Sequence, residues 1–477
     1  MKVIKNYLYN VGYQILLMLT PLITTPYVSR VLGAHNNGIN TYTNGWVTFF
    51  YLVGQLGITL YGNREIAYKR ENKLERSKLF WEMISLQIIT STLSLLLYLI
   101  IFMFISSNLK EYFLMQSLWI VAYGIDISWY FMGMEDFKKT VTRNTVMKIL
   151  SVILIFLLVK SKNDLIKYIF LLGFSQLAGS ITLWPYLKGS VQWVKFKELH
   201  PFKHFYPALL LFIPTITTQI YFVVNRIMLG KMGPQSAVAQ FDFGDKIVKL
   251  VLAIVTATGT VMLPHIANKF AVGDTEGIKK SLNNSFDYVT ALSIPMMFGL
   301  MAISNKFSVW FLGNQYGPTG NIIFLEAPAI LIIAWSNVTG VQYLMPIHKE
   351  HEYTISVTVG AIINILVNFF LIPKFGANGA ALATVISEFS ILLVQWNFIK
   401  NDISIFYLYK PLWKYLLSGF VMFIIISKIN HLLSMNIITL LIEGLLGIVI
   451  YGLVVYLLKA PILFKINELV KNRVRED

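Results

Sequence analysis

Apolar runs of about 20 residues recur along the whole chain of 477 residues, and this feature constrains the fold more than any other. A helix of this length spans the hydrocarbon core of a bilayer. We identify fourteen such runs, with predicted bounds 7–28, 38–62, 79–105, 112–134, 141–159, 166–187, 205–229, 236–263, 286–304, 321–344, 352–372, 376–399, 413–430 and 436–458. The sequence therefore predicts an all-α integral membrane protein with about fourteen transmembrane helices and no sizeable extramembrane domain.

The composition agrees with a protein that folds in lipid. Hydrophobic residues make up 56% of the chain and charged residues 13%, whereas a soluble domain is about 25% charged. This excludes a soluble enzyme, a disordered chain and a fibrous chain. The chain has no cysteine, which excludes disulfides, thiolate chemistry and Cys-ligated zinc. The first apolar run contains Asn10, Gln14 and Pro21, so we expect a first helix rather than a cleaved signal.

The basic residues orient the predicted helices. The formal net charge is +16, and nucleic-acid binding would be one explanation of such an excess. With the N-terminus inside, however, the inner segments contain 28 lysines and arginines and the outer segments 10. Basic residues accumulate in cytoplasmic loops, so this bias predicts that both termini are cytoplasmic. The membrane topology accounts for most of the excess of basic residues, and attraction to anionic lipids is a secondary reason for it. We therefore expect no nucleic-acid partner.

Two short sequence echoes suggest an internal repeat. Pro21-Leu-Ile-Thr-Thr in the first span resembles Pro214-Thr-Ile-Thr-Thr in the seventh, and each is followed by an arginine, Arg30 or Arg226, with a nearby glycine. Repeats separated by six helices have the same orientation in the membrane. We therefore predict an N-terminal six-helix lobe over 1–200, a C-terminal six-helix lobe over 201–400, and two additional helices with a cytoplasmic tail over 401–477.

Several segments resemble one family of transporters. Gly-Asn-Arg-Glu-Ile-Ala at 62–67, Trp-Tyr-Phe-Met-Gly-Met-Glu at 129–135 and the run at 372–384, which follows Asn364 and Asn368, are typical of it. Shorter matches are Leu263-Pro264, Gly273-Asp274, 311–313 and Ser387-Glu388. In this order, from about residue 5 to about 400, they resemble the Wzx-type oligosaccharide flippases of the multidrug/oligosaccharidyl-lipid/polysaccharide superfamily. The resemblance implies two six-helix lobes in a V around a central cavity that opens alternately to each side.

Charged residues inside spans are candidates for function, because each costs a few kcal/mol at the bilayer centre. The eighth span contains Asp242, Asp245, Lys246 and Lys249, which form two i,i+4 pairs. Lys249 lies about thirteen residues from either predicted end, near the midplane. One interpretation is a self-neutralised structural helix. The other, which we favour, is the wall of a water-filled cavity where Lys246 and Lys249 meet the substrate phosphate and Asp242 and Asp245 balance them.

Four further charges complete the candidate site. Asp126 in the fourth span and Glu326 in the tenth are candidates for coupling to an ion or proton, although a buried carboxylate is often simply hydrogen-bonded. Arg30 and Arg226 resemble the basic residues that line the cavity in members that carry lipid-linked saccharides. They can equally be interfacial arginines that contact lipid head groups.

The function that these observations favour is a flippase. It would move undecaprenyl-(pyro)phosphate-linked repeat units of capsule, exopolysaccharide or teichoic acid from the inner to the outer leaflet of a bacterial plasma membrane. A multidrug antiporter of the same superfamily and a membrane enzyme of polysaccharide assembly, a polymerase or transferase, are the alternatives. We expect no enzymatic activity and no cofactor or metal other than a coupling ion, Na⁺ or H⁺. Expected partners are membrane lipids, the polysaccharide polymerase and glycosyltransferases.

Overall fold

The computed structural model describes residues 2–104 and 108–463, and every regular element in these two ranges is helical. The all-α prediction is therefore confirmed for the described chain. Contacts divide the chain into two compact units, unit 1 over Met1–Ala239 and unit 2 over Gln240–Asp477. The predicted cytoplasmic tail lies outside the described residues from 464 onward.

The described residues of unit 1 form nine helices in chain order. They are α1 Lys2–Gln55, α2 Ile58–Tyr68, α3 Lys73–Phe104, α4 Lys110–Gln116, α5 Leu118–Gly124, α6 Ser128–Gly133, α7 Phe137–Leu158, α8 Leu165–Ile181 and α9 Phe205–Met232. The connection between α8 and α9 contains short 3₁₀ turns at Trp184–Leu187, Phe196–Glu198 and Pro201–His204.

Up to residue 463, unit 2 contains nine further helices, the first of which begins just before the boundary. They are α10 Gln235–Ala271, α11 Thr275–Leu312, α12 Gly317–Glu326, α13 Pro328–Ser336, α14 Glu350–Phe375, α15 Ala377–Ile399, α16 Ile405–Tyr409, α17 Leu412–Leu432 and α18 Ile437–Leu457. A π-helix, Asn337–Leu344, continues α13.

The chain is a multi-span membrane protein. Nine helical segments in the described ranges are long and apolar enough to cross a bilayer, and one bent pair, Asn314–Glu326 with Pro328–Leu344, would be a tenth. These ten coincide with the predicted spans 3, 5, 6 and 8 to 14. Predicted span 1 and most of span 2 fall on α1, span 4 on the short helices α4 to α6, and span 7 on α9. Fourteen spans in all remains a prediction.

The ends of several helices differ from the predicted bounds. Helix α11 begins eleven residues before its predicted span and ends eight residues after it, and α10 continues eight residues beyond position 263. Hydropathy marks only the part of a helix that lies in lipid, whereas polar turns continue into water. The Asp274 side chain caps α11 by accepting a hydrogen bond from the Gly277 amide at 2.8 Å.

Helix α1 is broken in the middle of the predicted loop between spans 1 and 2. Gly33 has φ of 76°, a left-handed conformation that favours glycine. The carbonyls left without helical partners are satisfied by Asn37, whose Nδ2 donates to the oxygens of Gly33 at 2.9 Å and Val28 at 3.1 Å. Two helical segments therefore meet at Gly33 with almost no intervening loop.

The core of unit 1 explains two of the sequence motifs. Gly62 of α2 faces Trp129 of α6, and a Cβ on Gly62 would lie 2.7 Å from the indole ring. Likewise, a Cβ on Gly133 would lie 2.6 Å from the Asn63 carbonyl oxygen. Trp129 is buried and its indole nitrogen donates to Gln87 of α3 at 3.0 Å. The segments 62–67 and 129–135 therefore pack directly against each other, and their glycines permit the close approach.

In unit 2 a face of small residues on α15 packs against α14. Ala380, Ala381 and Ala383 are fully buried. A Cβ on Gly379 would lie 2.3 Å from a backbone oxygen of α14, and the Ser387 hydroxyl donates to the Gly360 oxygen at 2.7 Å. Small residues thus allow the two backbones to approach, as is common between membrane helices.

Candidate functional site

Helix α10 carries the four charges predicted from the eighth span, and both i,i+4 pairs are present. Lys246 Nζ lies 2.5 Å from Asp242 Oδ2, and Lys249 Nζ lies 2.6 Å from Asp245. The two carboxylates are buried, whereas the side chains of Lys246 and Lys249 are 49% and 31% exposed. In each pair, therefore, an accessible ammonium group contacts a buried carboxylate.

The packing of α10 against α12 explains why the aspartates are buried. Gly244 faces α12, where a Cβ would lie 2.9 Å from the Ile322 side chain. Phe243 stacks on Tyr316 with ring centroids 5.3 Å apart, and the Thr319 hydroxyl donates to the Gln240 oxygen at 3.2 Å. These contacts hold the aspartate face of α10 inside unit 2.

Lys249 is not central in its helix. It lies fourteen residues from the first residue of α10 and 22 from the last, because the helix continues to Ala271. At 1.5 Å per residue these distances correspond to about 21 Å and 33 Å. The position of Lys249 near the midplane of the bilayer therefore stays a prediction.

Glu326 lies within hydrogen-bonding reach of Asp245, and Glu388 of α15 adds a third carboxyl group nearby. Glu326 is 1% exposed, and its Oε2 has no hydrogen-bond partner among the described residues. Neighbouring carboxylates repel each other, and the ammonium group of Lys249 offsets part of this repulsion. We call Asp245, Glu326 and Glu388 the carboxyl cluster.

A break in the helix places Glu326 in this cluster. Glu326 is the last residue of α12, and Pro328 begins α13. The helices on either side of this break meet at a 43° bend. Proline lacks the amide that would continue the hydrogen-bond ladder, and discontinuous membrane helices commonly place polar groups at ion and substrate sites. The sequence identified Glu326 as a buried carboxylate but did not indicate the bend.

Asp126 has a different environment in unit 1. It lies between α5 and α6, where its oxygens accept hydrogen bonds from the Ser128 hydroxyl at 2.7 Å and the Ser128 amide at 3.2 Å. Arg143 of α7 lies 3.7 Å from Asp126, and both side chains are largely buried. Asp126 therefore stabilises the start of α6 by hydrogen bonds and offsets the positive charge of Arg143. A role in ion coupling stays a prediction.

The two predicted arginines both lie in unit 1. Arg30 on α1 is exposed, and its guanidinium donates to the Pro26 oxygen at 3.0 Å. Arg226 on α9 is half-buried and packs beside Gly45 of α1, where a glycine Cβ would lie 3.4 Å from the Arg226 Cβ. Tyr51, further along α1, lies within the electrostatic influence of Arg226.

A buried polar network in unit 1 was not identified from the sequence. Glu82 of α3 is 1% exposed and accepts from Lys203 Nζ at 2.7 Å, while His204 Nε2 lies 3.1 Å from the same oxygen. The His204 Nδ1 lies 3.0 Å from the Tyr61 hydroxyl of α2. Lys203 and His204 immediately precede α9. Their spacing from Glu82 along the chain, about 120 residues, left no local signal.

Two protein-family models match the chain. The family described as polysaccharide biosynthesis protein matches residues 3–270, and the family described as lipid II flippase MurJ matches residues 140–451. The chain is 24% identical to a "Putative O-antigen transporter" of Shigella dysenteriae, over 80% of this chain and 96% of that protein.

Solved structures show the same architecture. Lipid II flippase MurJ in an inward closed conformation is similar with a TM-score of 0.74 at 16% identity, over 95% of this chain and 98% of that chain. An inward-facing multidrug resistance transporter of the MATE family, of the MOP superfamily, has a TM-score of 0.63 at 12% identity, over 82% of this chain and 96% of the other. At these low sequence identities, the similarity shows a shared fold and no more.

Proposed function

The chain belongs to the polysaccharide biosynthesis protein family and to the overlapping lipid II flippase MurJ family, and from this premise we propose that it is a flippase for lipid-linked oligosaccharides. Its substrate is an undecaprenyl-(pyro)phosphate-linked repeat unit of capsule, exopolysaccharide or teichoic acid. It moves that unit from the inner to the outer leaflet without catalysing a covalent step. The observation that carries the proposal is the pair of accessible ammonium groups on the membrane-spanning helix α10.

The physical problem is the polar head of the substrate. A glycan and an anionic phosphate cannot cross hydrocarbon unaided, because their hydration would be lost without replacement. A polar cavity supplies hydration, and lysines supply positive charge to the phosphate, while the polyprenyl tail remains in lipid. Lysine suits this function because its ammonium group binds phosphate as a point charge on a flexible stem.

The ion pairs of α10 suggest how the lysines remain stable without substrate. In the empty carrier Asp242 and Asp245 neutralise Lys246 and Lys249 at 2.5 and 2.6 Å. A substrate phosphate competes with these carboxylates for the same ammonium groups. Because the lysines are partly exposed and the aspartates buried, the phosphate can approach without displacing α10. Arg30 and Arg226 are the proposed outer contributors to phosphate binding.

Ion coupling resets the carrier in this proposal. The carboxyl cluster, and Asp126 in unit 1, are the candidate sites, and the ion is Na⁺ or H⁺. A membrane potential that is negative inside favours outward movement of the anionic substrate by about 2.3 kcal/mol per charge per 100 mV. The return of a cation bound to carboxylates then uses the same potential in the opposite direction.

The proposed setting is the plasma membrane of a bacterium, with both termini cytoplasmic and fourteen spans. In this proposal two six-helix lobes, over 1–200 and 201–400, form a central cavity that opens alternately to each side of the membrane. Residues 401–477 form the appended helices and the tail. Partners are the lipid-linked oligosaccharide, membrane lipids, the polymerase and the glycosyltransferases. Relatives named as transporters and flippases support this setting.

Depletion of the protein tests the function. Lipid-linked saccharides should accumulate in the inner leaflet, measured by mass spectrometry after a membrane-impermeant glycosidase has removed the units of the outer leaflet. Re-expression of the parent protein and of a Lys160→Gln control, which removes an exposed lysine of unit 1, should restore export.

Two results would contradict the proposal. Accumulation of unpolymerised units in the outer leaflet would indicate a polymerase. Unchanged lipid-linked saccharides together with lost export of cationic dyes would indicate a multidrug antiporter.

A further inference from the structure

A cavity of about 650 Å³ opens at one end of unit 2, apart from the charges of α10. It lies between the first turns of α11, the junction of α16 and α17, and the chain after α18. Its lining includes four lysines, two from α11 and two from the α16–α17 junction, namely Lys279, Lys280, Lys410 and Lys414. Two carboxylates, Glu276 and Asp287, also line it, so the cavity has an excess of positive charge.

Asp287 and Lys414, which line the cavity, belong to a set of hydrogen bonds that joins three parts of the chain. The Tyr415 hydroxyl of α17 donates to Asp287 Oδ1 of α11 at 2.6 Å and accepts from the Ile462 amide at 3.2 Å. Lys414 Nζ donates to the Lys459 oxygen at 3.0 Å. The cavity is therefore a built feature of the fold, and a ligand in it would contact all three parts.

The positive charges at its rim are available to a ligand. Lys280 and Lys410 are exposed and have no side-chain hydrogen bond or ion pair within the described ranges. Lys279 is 3.7 Å from Glu276, whose side chain is 88% exposed, and such a pair at the surface contributes little. An incoming anion therefore has to displace no strong partner from three of the four lysines.

Aromatic residues place this rim at the level of lipid head groups. Trp413, which lines the cavity, is 56% exposed one residue after the start of the membrane-spanning helix α17. Phe406 on the short helix α16 is 82% exposed. Exposed tryptophan at the end of a membrane helix is typical of the interface between lipid and water, and basic pockets between such helix ends bind anionic head groups.

We propose that this cavity binds the phosphate head group of an anionic membrane lipid, with the acyl chains lying along α17. Lys280 and Lys410 bind the phosphate from opposite walls, since one belongs to α11 and the other precedes α17. The bound lipid thereby links the appended helices to α11 and stabilises unit 2. The site is separate from the proposed phosphate site on α10, and either can fail without the other.

Thermal unfolding of the purified full-length protein in detergent tests the site. Phosphatidylglycerol should raise the unfolding temperature, and phosphatidylcholine and inorganic phosphate at equal concentration should not. The double variant Lys280→Gln/Lys410→Gln should bind phosphatidylglycerol at least about tenfold more weakly in native mass spectrometry, because two charges that attract the anionic head group are lost.

Matched variants separate this site from general surface charge. Lys195→Gln/Lys197→Gln removes two exposed lysines from unit 1 and should bind the lipid like the parent. Lys280→Arg/Lys410→Arg keeps both charges and should retain binding. Equal weakening in the unit 1 variant, equal stabilisation by phosphatidylcholine, or stabilisation by inorganic phosphate alone would overturn the proposal.

Discussion

The ammonium group of Lys249 lies 2.6 Å from the carboxylate of Asp245, and Asp245 in turn is within hydrogen-bonding reach of Glu326. One accessible cation is therefore connected to a buried carboxyl cluster through a single residue. A phosphate that draws Lys249 away from Asp245 would leave more negative charge among the carboxylates. In the proposed mechanism this arrangement would link binding of the substrate phosphate to the uptake of a cation or proton.

We expect Lys249→Gln to lower export strongly, because it removes an ammonium group from the proposed phosphate site. Lys249→Arg should retain part of the activity, since charge matters more than fork geometry for a phosphate bound as a point charge. Lys249→Glu should be worse than the glutamine variant, because it places a negative charge beside an anionic substrate. Export of lipid-linked repeat units in depleted cells measures all three.

A double variant separates substrate binding from stability. Lys249→Gln alone leaves Asp245 buried without its cation, which we expect to cost about 2–3 kcal/mol of stability. Asp245→Asn/Lys249→Gln removes both charges and should recover stability, measured by thermal unfolding, while export stays low. Export at the parental rate in the double variant would show that the pair is structural and that the phosphate site lies elsewhere.

Glu326→Gln should change the ion dependence of export, because it removes a charge from the carboxyl cluster while keeping the shape of the side chain. Asp126→Asn should have the smaller effect on ion dependence, since Asp126 already accepts a hydrogen bond from Ser128 and lies beside the positive charge of Arg143. Transport by reconstituted vesicles under separate Na⁺ and H⁺ gradients measures this. If the ion dependence is unchanged when both substitutions are combined, both carboxylates are structural and neither couples transport to an ion.

The sequence predicted what depends on hydropathy and on local spacing. Apolar runs predicted a membrane protein composed of helices, and motif segments predicted the family, which the comparisons confirm. The two ion pairs of α10 followed from i,i+4 spacing, since helical geometry brings such residues together. Hydropathy did not reveal the ends of α10 and α11, because polar turns extend beyond the lipid.

What the sequence did not predict depends on contacts between distant segments. Glu388 reaches the carboxyl cluster from α15, about 60 residues after Glu326. Glu82 and His204 meet across more than 100 residues.

The proposed topology predicts which positions an external reagent can reach. Cysteine at Lys73 or Lys197 should resist a membrane-impermeant thiol reagent in intact cells, and cysteine at Asn314 should react. All three positions are exposed, so a lack of labelling reflects location rather than burial. The absence of native cysteine removes background labelling. Labelling of the Lys73 site from outside would reverse the proposed orientation, and permeabilised cells, in which all three sites should react, are the control.

Protonation of His204 should weaken the packing that anchors the start of α9. Burial lowers the pKa of His204 below its ordinary value of 6.5, although the neighbouring carboxylate of Glu82 partly opposes this. Lys203, Glu65 and Tyr61 also face this histidine or influence its charge. Between the lowered pKa and 6.5, the unfolded chain binds the proton and the folded protein does not, so stability falls as the pH drops below about 6.5.

The measurement is the thermal unfolding temperature of the parent protein between pH 7.5 and pH 5. We expect the unfolding temperature of the parent to fall over this range, with a contribution from His204. His204→Gln should flatten this part of the pH dependence, because glutamine does not titrate but can still hydrogen-bond to Glu82 or Tyr61. His265→Gln removes an exposed histidine of unit 2 and should keep the parental slope. If the parent and His204→Gln have the same slope, protonation of His204 does not control the stability of this network, and its contacts with Glu82 tolerate the charged imidazole.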